Sequence, residues 1–295
     1  MNWDDMRIFL FVAREESLSG AARSLRLDPA TVGRRIARLE EEMDAVLFVK
    51  SPQGYIVTEA GERLLSHAEA AEQAMIGAVD EVRGTETGLT GTIRVGAPDG
   101  CATFLLPHVT RVIQAENPGL EVQIVALPRV FNLSKREADM AIGVSRPTAG
   151  RLRIQKIADY GLHLAASREY LAKHAPITTH EDLAGHRVIG YIPDMIFDRE
   201  LDYLSEMGLR RVDLGSNLVS VQLGWLRAGA GIGVVHDFVM PDAPELCPIL
   251  ANELRLTRTF WLIRHADDAR VDRLNRFAST LADGLRTVMA KRSNA

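Results

Sequence analysis

The sequence lacks the features that mark several common protein classes. It has 2 cysteines in 295 residues, too few for a disulfide framework, so a reducing compartment, the cytoplasm, is expected. No apolar run approaches the roughly 18 residues that span a bilayer. The stretch Met1 to Asp5 also lacks the basic start and apolar core of a secretory signal. We therefore expect neither export nor a membrane partner.

An excess of charge of one sign is also missing. The formal net charge is −4, with 25% charged and 46% hydrophobic residues, values typical of a globular protein. No global basic field therefore indicates nucleic acid, and a DNA partner would need basic residues concentrated in one segment. A chain of 295 residues is long enough for two domains.

Motifs for catalysis and for metal or nucleotide binding are absent as well. The 8 histidines and the acids show no metal-ligand spacing, and there is neither a Gly-x-Ser-x-Gly elbow nor a P-loop. Gly229, Gly231 and Gly233 precede a predicted strand instead of following one, so they are not a dinucleotide fingerprint. The sequence predicts no enzyme, no metal site and no cofactor.

A helix-turn-helix pattern is present at the N-terminus. A helical pattern from Trp3 to Ala13 precedes a second short helix, for which Ser19 is the expected N-cap. Asp28 followed by Pro29 predicts the start of a third helix. On this third helix four apolar side chains share one face, and a second face carries Thr31, Arg34, Arg35 and Arg38.

The charge of this segment allows two interpretations. From Arg23 to Arg38 there are five arginines and one acid, so the segment is +4 in a chain of net charge −4. A solvated basic face is one alternative, because Glu40 and three further acids follow at once. The helix-turn-helix spacing favours DNA, with the third helix in the major groove. The predicted DNA-binding residues are Ser19, Arg23, Pro29, Ala30, Thr31, Gly33, Arg34, Arg35, Arg38, Lys50 and Gln53, with Ser19, Arg23 and Lys50 on phosphates.

A hairpin is predicted after the third helix. The segments Val46–Lys50 and Tyr55–Val57 flank a turn that contains proline and glycine. Such a hairpin after a recognition helix is typical of a wing, and here it carries a single basic residue, Lys50. Residues 1–58 are therefore predicted to form a winged helix-turn-helix domain.

Residues 1–58 resemble the DNA-binding domain of LysR-type transcriptional regulators. The resemblance is carried by residues 9–13, 17–25, 29–32, 35–40, 47–48 and 58–61, which read FLFVA, SLSGAARSL, PATV, RIARLE, LF and TEAG. It implies sequence-specific binding to double-stranded promoter DNA, with RNA polymerase as a candidate further partner. Gly33 departs from the serine usual in the family. Close approach of its backbone to DNA and neutral drift are equal alternatives.

Residues 59–83 form one long helical pattern without proline. Its apolar positions alternate between steps of four and three residues, the spacing of a helix that packs on a partner helix: Leu64, Ala68, Ala71, Met75, Ala78 and Val82. Packing on the protein's own second domain is the alternative. The resemblance implies dimerisation through this linker helix, so we expect a homodimer or homotetramer. Residues 84–91, with three glycines and three threonines, are the expected hinge.

From residue 92 to residue 295, strand and helix patterns alternate, which predicts α/β units around a largely parallel sheet. The resemblance implies a two-lobed effector-binding domain like a periplasmic binding protein, with lobe I at about 92–163 and 264–295 and lobe II at about 164–263. A two-lobed transport receptor is the alternative, which the missing export signal and the helix-turn-helix disfavour.

An unknown small-molecule effector is expected in the cleft of this second domain. In doubly wound sheets, ligands contact residues just past strand ends and at helix starts. The candidate effector-binding residues are Asp99, Gly100, Cys101, Thr103, Arg129, Phe131, Tyr191, Asn217, Ser220 and His236. A less favoured alternative is a redox sensor at Cys101, because a helix N-terminus lowers the pKa of a thiol. Cys247 offers no obvious resolving partner.

Overall fold

The computed structural model describes residues 2–51, 54–82, 88–126, 138–266, 268 and 271–293, and the chain divides into two compact units. Helices α1 to α4 and a hairpin belong to the first unit, and the second unit is built on one sheet. None of the described helices is long and apolar enough to cross a membrane.

The first unit has the order of elements that the sequence predicts for a winged helix-turn-helix. Its helices are α1 Trp3–Glu15, α2 Leu18–Leu25, α3 Pro29–Met43 and α4 Glu59–Val82. The hairpin strands β1 Phe48–Ser51 and β2 Gly54–Val57 pair antiparallel, with Lys50 opposite Tyr55.

The second helix begins earlier than the sequence prediction. Ser17, and not Ser19, is its N-cap, and the Ser17 hydroxyl accepts a hydrogen bond from the backbone N–H of Gly20 at 3.2 Å. Both serines stand close to the start of the helical pattern, but an N-cap hydroxyl accepts a hydrogen bond from the N–H two or three positions on, and Ser17 makes this bond. Ser19 lies inside the helix with its side chain exposed.

Apolar faces of the four helices meet in one core in the first unit. Phe9 of α1 and Leu39 of α3 are fully buried there, and burial of each such side chain contributes about 1.5–3 kcal/mol. Ala21 and Ala22 bring α2 close to its neighbours because their side chains are small. Ala68 of α4 lies in the same core, so the first half of α4 belongs to this unit.

A nine-stranded sheet organises the second unit. The hydrogen-bonded order of its strands is β4-β3-β5-β11-β6-β9-β7-β8, and β10 pairs with β6. The strands are β3 Gly91–Ala97, β4 Leu120–Ala126, β5 Met140–Gly143, β6 Leu152–Ser167, β7 Val188–Gly190, β8 Leu214–Gly215, β9 Ile232–His236, β10 Leu246–Pro248 and β11 Arg255–His265.

The sheet is mixed, and the prediction of a largely parallel sheet was wrong. Strand β3 is parallel to β4 and β5, and β7 is parallel to β8 and β9. Between these two groups, β6 and β11 run antiparallel to each other, with Leu256 opposite Leu162. The two lobes of the α/β domain are thus joined through two long antiparallel strands.

Helices cover this sheet. They are α5 Asp99–Phe104, α6 Leu106–Glu116, α7 Arg168–Lys173, α8 Tyr203–Glu206, α9 Val219–Arg227 and α10 Asp272–Ser293, with short 3-10 helices at Glu181–Gly185, Pro193–Met195, Arg199–Leu201 and Asp237–Asp242. Helix α5 ends and α6 begins at Leu105, so the helical segment between Asp99 and Glu116 is divided. Pro107 explains the division, because proline donates no backbone hydrogen bond and its ring clashes with the preceding turn.

Candidate nucleic-acid interface and ligand site

Helix α3 begins where the sequence predicts it. The Asp28 carboxylate accepts hydrogen bonds from the backbone N–H of Ala30 at 2.8 Å and of Thr31 at 3.3 Å. Pro29 takes the first helical position, where its missing N–H has no partner to lose. Pro29 and Ala30 are exposed, so the first turn of the helix is accessible to a ligand.

The two faces of α3 differ in burial as its periodicity predicts. Val32 and Ile36 are buried against the other helices of the first unit. On the polar face Arg34 is exposed, and its Nη2 donates a hydrogen bond to Thr31 Oγ1 at 3.1 Å. Among the described residues Arg34 has no acidic partner, so its guanidinium is free to bind an anion or a base edge.

Arg35 and Arg38 on the same face share one acidic partner that sequence reasoning missed. Arg35 Nη1 lies 3.1 Å from Asp5 Oδ1, and Arg38 Nε donates to Asp5 Oδ2 at 3.1 Å. Arg38 Nη2 makes a second contact with the same oxygen. The available signal was the position of Asp5, which lies one turn before Phe9 and two before Val12 on the buried face of α1.

The other predicted DNA-binding residues are also accessible. Ser19 and Arg23 of α2 and Lys50 of the hairpin are exposed, and Gly33 is half-buried. A Cβ built at Gly33 would lie 3.5 Å from the nearest atom, Leu18 Cδ1, so a side chain fits at this position. Gln53 lies outside the described residues.

Three of the candidate effector ligands of the second unit contact one another. Asp99 Oδ2 accepts a hydrogen bond from the backbone N–H of Ser220 at 2.8 Å, and Thr103 Oγ1 donates to Asp99 Oδ1 at 3.3 Å. Residue Leu218, the N-cap of α9, has no side-chain oxygen, so Asp99 supplies the missing cap from another part of the sheet domain. Asp99 does not cap its own helix α5, whose N-cap is Pro98 and which has no side-chain cap hydrogen bond.

A buried group of rings lies next to this contact. The His236 ring centroid is 5.6 Å from that of Tyr160 and 5.9 Å from that of Tyr203. Burial lowers the pKa of His236 to about 4, so the ring is neutral near pH 7. A Cβ built at Gly100 would lie 3.7 Å from His236 Cε1, which shows that these two predicted residues are neighbours.

A cavity of about 800 Å³ opens beside Tyr191 and Tyr203, and Gln222, Asp198 and Arg199 also line it. Burial, the nearby tyrosine and Asp99 raise the pKa of Tyr191 well above its ordinary value, so its hydroxyl is neutral and can donate a hydrogen bond. Sequence reasoning missed both Tyr160 and Tyr203, because neither follows the end of a predicted strand.

The remaining effector candidates have different surroundings. Asn217 is half-buried just before α9. Arg129 and Phe131 lie outside the described residues. Cys101 is fully buried, and burial raises the pKa of its thiol above the usual value. The expected lowering of this pKa was therefore wrong, and the thiolate that redox sensing requires is disfavoured.

The predicted dimerisation seam divides into two parts. Ala68 is 0% exposed within its own unit and Leu64 packs against the same core, so Ala68 in particular is not available to a partner helix. Heptad spacing does not distinguish packing within the chain from packing on a partner helix, so the prediction was wrong for Ala68, whereas half-buried Leu64 stays a predicted interface residue. Further along, Ala71 is half-buried, Met75 is 49% exposed and Ala78 is exposed. The side chain of Val82 lies outside the described part.

No group of three His, Cys, Asp or Glu side chains in the described part of the chain is arranged to hold a metal ion.

A basic recognition helix in one unit and a two-lobed sheet domain with a ligand-sized cavity in the other define a DNA-binding transcriptional regulator with an effector-binding domain. Residues 3–62 match the family model for bacterial regulatory helix-turn-helix proteins of the lysR family, and residues 86–286 match the LysR substrate binding domain. The chain belongs to the LysR-type transcriptional regulators.

Curated relatives and solved structures agree with this assignment. The chain is 26% identical over 294 residues to the HTH-type transcriptional regulator CrgA of Neisseria meningitidis serogroup C, covering 96% of this chain and 97% of CrgA. It is 36% identical over 150 residues to DgdR of Burkholderia cepacia, covering 50% of each chain. The CrgA structure matches with a TM-score of 0.58 at 24% identity, over 97% of this chain and 99% of that one. A full-length OxyR variant from Pseudomonas aeruginosa matches with a TM-score of 0.70 at 18% identity, over 97% and 98%.

Proposed function

We propose that this regulator reads its DNA site with the exposed face of α3. The observation that carries the proposal is Arg34, which is exposed, hydrogen-bonded to Thr31 and without an acidic partner in the described part of the chain. Arginine donates two parallel hydrogen bonds to guanine in the major groove, so Arg34 is the first candidate for base recognition. Ser19, Arg23 and Lys50 would contact phosphates, which fix the register of the protein on the duplex.

The proposed effector is a small molecule bound in the cavity of the second unit beside Tyr191, the one candidate effector residue among the described residues that line it. A volume of about 800 Å³ lies within the range of small-molecule sites, which is roughly 300–1,000 Å³. Tyr191 and Tyr203 would supply neutral hydroxyls, and the Asp99 contact to Ser220 would differ between the free and bound states. In this proposal lobe I comprises about residues 92–163 and 264–295, and lobe II comprises about residues 164–263.

We further propose a homodimer or homotetramer acting in the cytoplasm, with RNA polymerase as a further partner. Met75 and Ala78 support one interface, because apolar residues at heptad spacing are exposed there in a single chain. In the second unit Val112 of α6 is 45% exposed and Ile124 of the edge strand β4 is 37% exposed, and these elements pack side by side. An exposed strand edge flanked by apolar side chains is a surface that a second copy can cover.

Footprinting tests the proposed function. Purified protein is incubated with DNA upstream of its own gene and of the divergent neighbour, and the Arg34→Ala variant is compared with wild type. We expect a protected, imperfectly palindromic site, with affinity about tenfold to a hundredfold lower in the variant. Arg168→Ala, which removes an exposed arginine from α7 of the second unit, is the matched control and should bind as wild type does. No protection at low salt, where phosphate contacts are strongest, would refute binding to this region.

A further inference from the structure

Asp5 is a charged side chain inside the core of the DNA-binding unit. It is 0% exposed, in the first turn of α1, and its neighbours on that face of the helix are buried apolar residues. Both of its carboxylate oxygens face α3: Oδ1 contacts Arg35, and Oδ2 contacts Arg38 through two of its nitrogens. The two partners that the carboxylate has among the described residues therefore both belong to α3.

Stability alone does not explain a carboxylate at this position. Burial of a charge carries a large desolvation penalty, and an ion pair repays it only with close, hydrogen-bonded partners. Desolvation acts to raise the pKa of Asp5, but hydrogen bonds from Arg38 and Arg35 more than compensate and leave this pKa below its ordinary value. Asp5 is therefore ionised near pH 7. An apolar side chain would fill the same space without this penalty, so the carboxylate is expected to serve the two arginines.

The two arginines stay accessible while Asp5 holds them. The Arg35 side chain is 34% exposed and the Arg38 side chain is 49% exposed. A guanidinium has five N–H donors in a rigid plane, of which Arg35 directs one nitrogen and Arg38 two nitrogens at Asp5. The remaining donors have their orientation fixed by the contact. Arg34, by comparison, has a single hydrogen bond to the described part of the chain, which it donates to the hydroxyl of Thr31 one turn earlier.

The charge around these arginines is also reduced. The hydrogen bond and the charge of Asp5 raise the pKa of Arg38, and the carboxylate of Glu42, one turn further on, adds to this effect. These carboxylates partly neutralise the positive charge of the two arginines. Free arginines on a DNA-facing helix attract the phosphates of DNA whatever its sequence, since phosphate contacts carry no base information. Arginines held by a carboxylate lose part of that attraction, but they keep a geometry that suits one arrangement of base edges and phosphates.

We propose that Asp5 is a positioning residue for DNA recognition. It holds Arg35 and Arg38 in one orientation toward the groove and lowers their attraction for non-specific DNA. The proposal rests on the proposed DNA contact of α3 and goes beyond it, because Asp5 itself is buried and touches no DNA. Loss of its charge should therefore weaken discrimination between sequences while strengthening binding to DNA in general.

The test compares Asp5→Asn with Asp4→Asn in the full-length protein. Asp4 is the exposed neighbour in the same helical turn, so the control removes the same charge without touching the arginines. A duplex is first selected from random-sequence DNA by the wild-type protein, and a scrambled duplex of equal composition serves as non-specific DNA. Dissociation constants for both duplexes are then measured at salt concentrations between about 50 and 300 mM, because the slope of affinity against salt reports the number of counterions released.

For Asp5→Asn we expect the ratio of non-specific to specific dissociation constants to fall about tenfold, the size of one good base contact. Affinity for the scrambled duplex should rise, and its salt dependence should steepen by about one counterion per subunit. Asp4→Asn should keep the wild-type ratio. Equal ratios and equal salt slopes for the two variants would overturn the proposal, whereas failure of the wild-type protein to select any duplex would instead refute the proposed function.

Arg35→Gln and Arg38→Gln keep the proposal testable if Asp5→Asn does not fold. Both side chains are partly exposed, and either change leaves Asp5 one arginine partner. Each should lower the ratio of non-specific to specific dissociation constants. Each should also weaken binding to the scrambled duplex, whereas Asp5→Asn should strengthen it. Wild-type ratios in both arginine variants would show that Asp5 positions nothing used in recognition.

Discussion

His236 is held neutral inside the second unit, and this makes the stability of that unit depend on pH. Burial lowers its pKa to about 4, from an ordinary value of 6.5. Its neighbours Tyr160, Tyr203 and Phe238 are uncharged rings, and no carboxylate among the described residues compensates the desolvation. The unfolded chain therefore takes up a proton near pH 6.5 while the folded chain resists doing so until about pH 4.

The sign follows from this difference in proton binding. Stability is fully present above pH 6.5 and is lost as the pH falls toward about 4. Between pH 7.5 and pH 5 the loss should be about 2 kcal/mol, since one unit of pKa difference corresponds to about 1.4 kcal/mol. His236→Phe removes the titrating group, keeps a ring in the cluster and should abolish most of this loss.

Urea unfolding followed by tryptophan fluorescence at the two pH values measures the effect. His108→Gln, a change at an exposed histidine of the same unit, should retain the wild-type pH dependence. An equal loss of stability in wild type and His236→Phe would show that other groups cause it.

At the residue scale, sequence reasoning predicts faces better than partners. The periodicity of α3 places Val32 and Arg34 on different faces, because burial follows the 3.6-residue repeat. It does not reveal that Asp5 lies against Arg35, since the two are 30 residues apart and meet only when α1 packs on α3. The cap from Asp99 to Ser220, 121 residues apart, is hidden from a linear analysis for the same reason.

At the scale of elements, helix α3 contains a residue, Gly33, that lowers the stability of the helix. Gly33 lies mid-helix, where glycine costs about 1 kcal/mol relative to alanine, and its nearest neighbour leaves space for a methyl group. Gly33→Ala should therefore raise the free energy of unfolding by about 0.5–1 kcal/mol in urea titrations. Affinity for the selected duplex then distinguishes the two alternatives for this glycine, because only close approach of the backbone to DNA predicts weaker binding.

Gly61 provides a control of opposite sign. A Cβ there would lie 2.4 Å from the backbone oxygen of Leu47 and 2.5 Å from Val57 Cγ1, so Gly61→Ala should destabilise the same unit. A lower stability of Gly33→Ala than of wild type would contradict the helix-propensity argument.

Elements with a local signal are predicted well, and elements without one are not. Asp28 and Pro29 define the start of α3 by chemistry within one turn. Strands β6 and β11 are long, and outer residues such as Arg153, Gln155 and Arg255 are polar and exposed, so no continuous apolar run marks their full length. Their antiparallel pairing makes the sheet mixed, and no short pattern in the sequence records it.

For the whole molecule, α4 has two roles along its length. Its first half is tied to α1 by packing of Ala68 and by an ion pair between Arg14 and Glu72 at 2.7 Å. Beyond that point Met75 is 49% exposed in the single chain, although its thioether side chain is apolar. A second copy of the helix would cover this part of the seam, and a short seam of this kind is sensitive to one charge.

Met75→Glu should therefore shift the protein from dimer toward monomer in sedimentation velocity at micromolar concentration. Burial of an unpaired carboxylate in a helix interface is strongly unfavourable, whereas the single chain already exposes this position. Affinity for a duplex with two half-sites should fall by about tenfold or more. A dimer binds the second half-site intramolecularly and gains affinity from this linkage, which a monomer lacks. Met195→Glu, at a 46% exposed methionine of the second unit, should leave the dimer intact. An unchanged dimer in Met75→Glu would move the main interface away from α4, and the apolar edge formed by Val112 and Ile124 would then be the next surface to substitute.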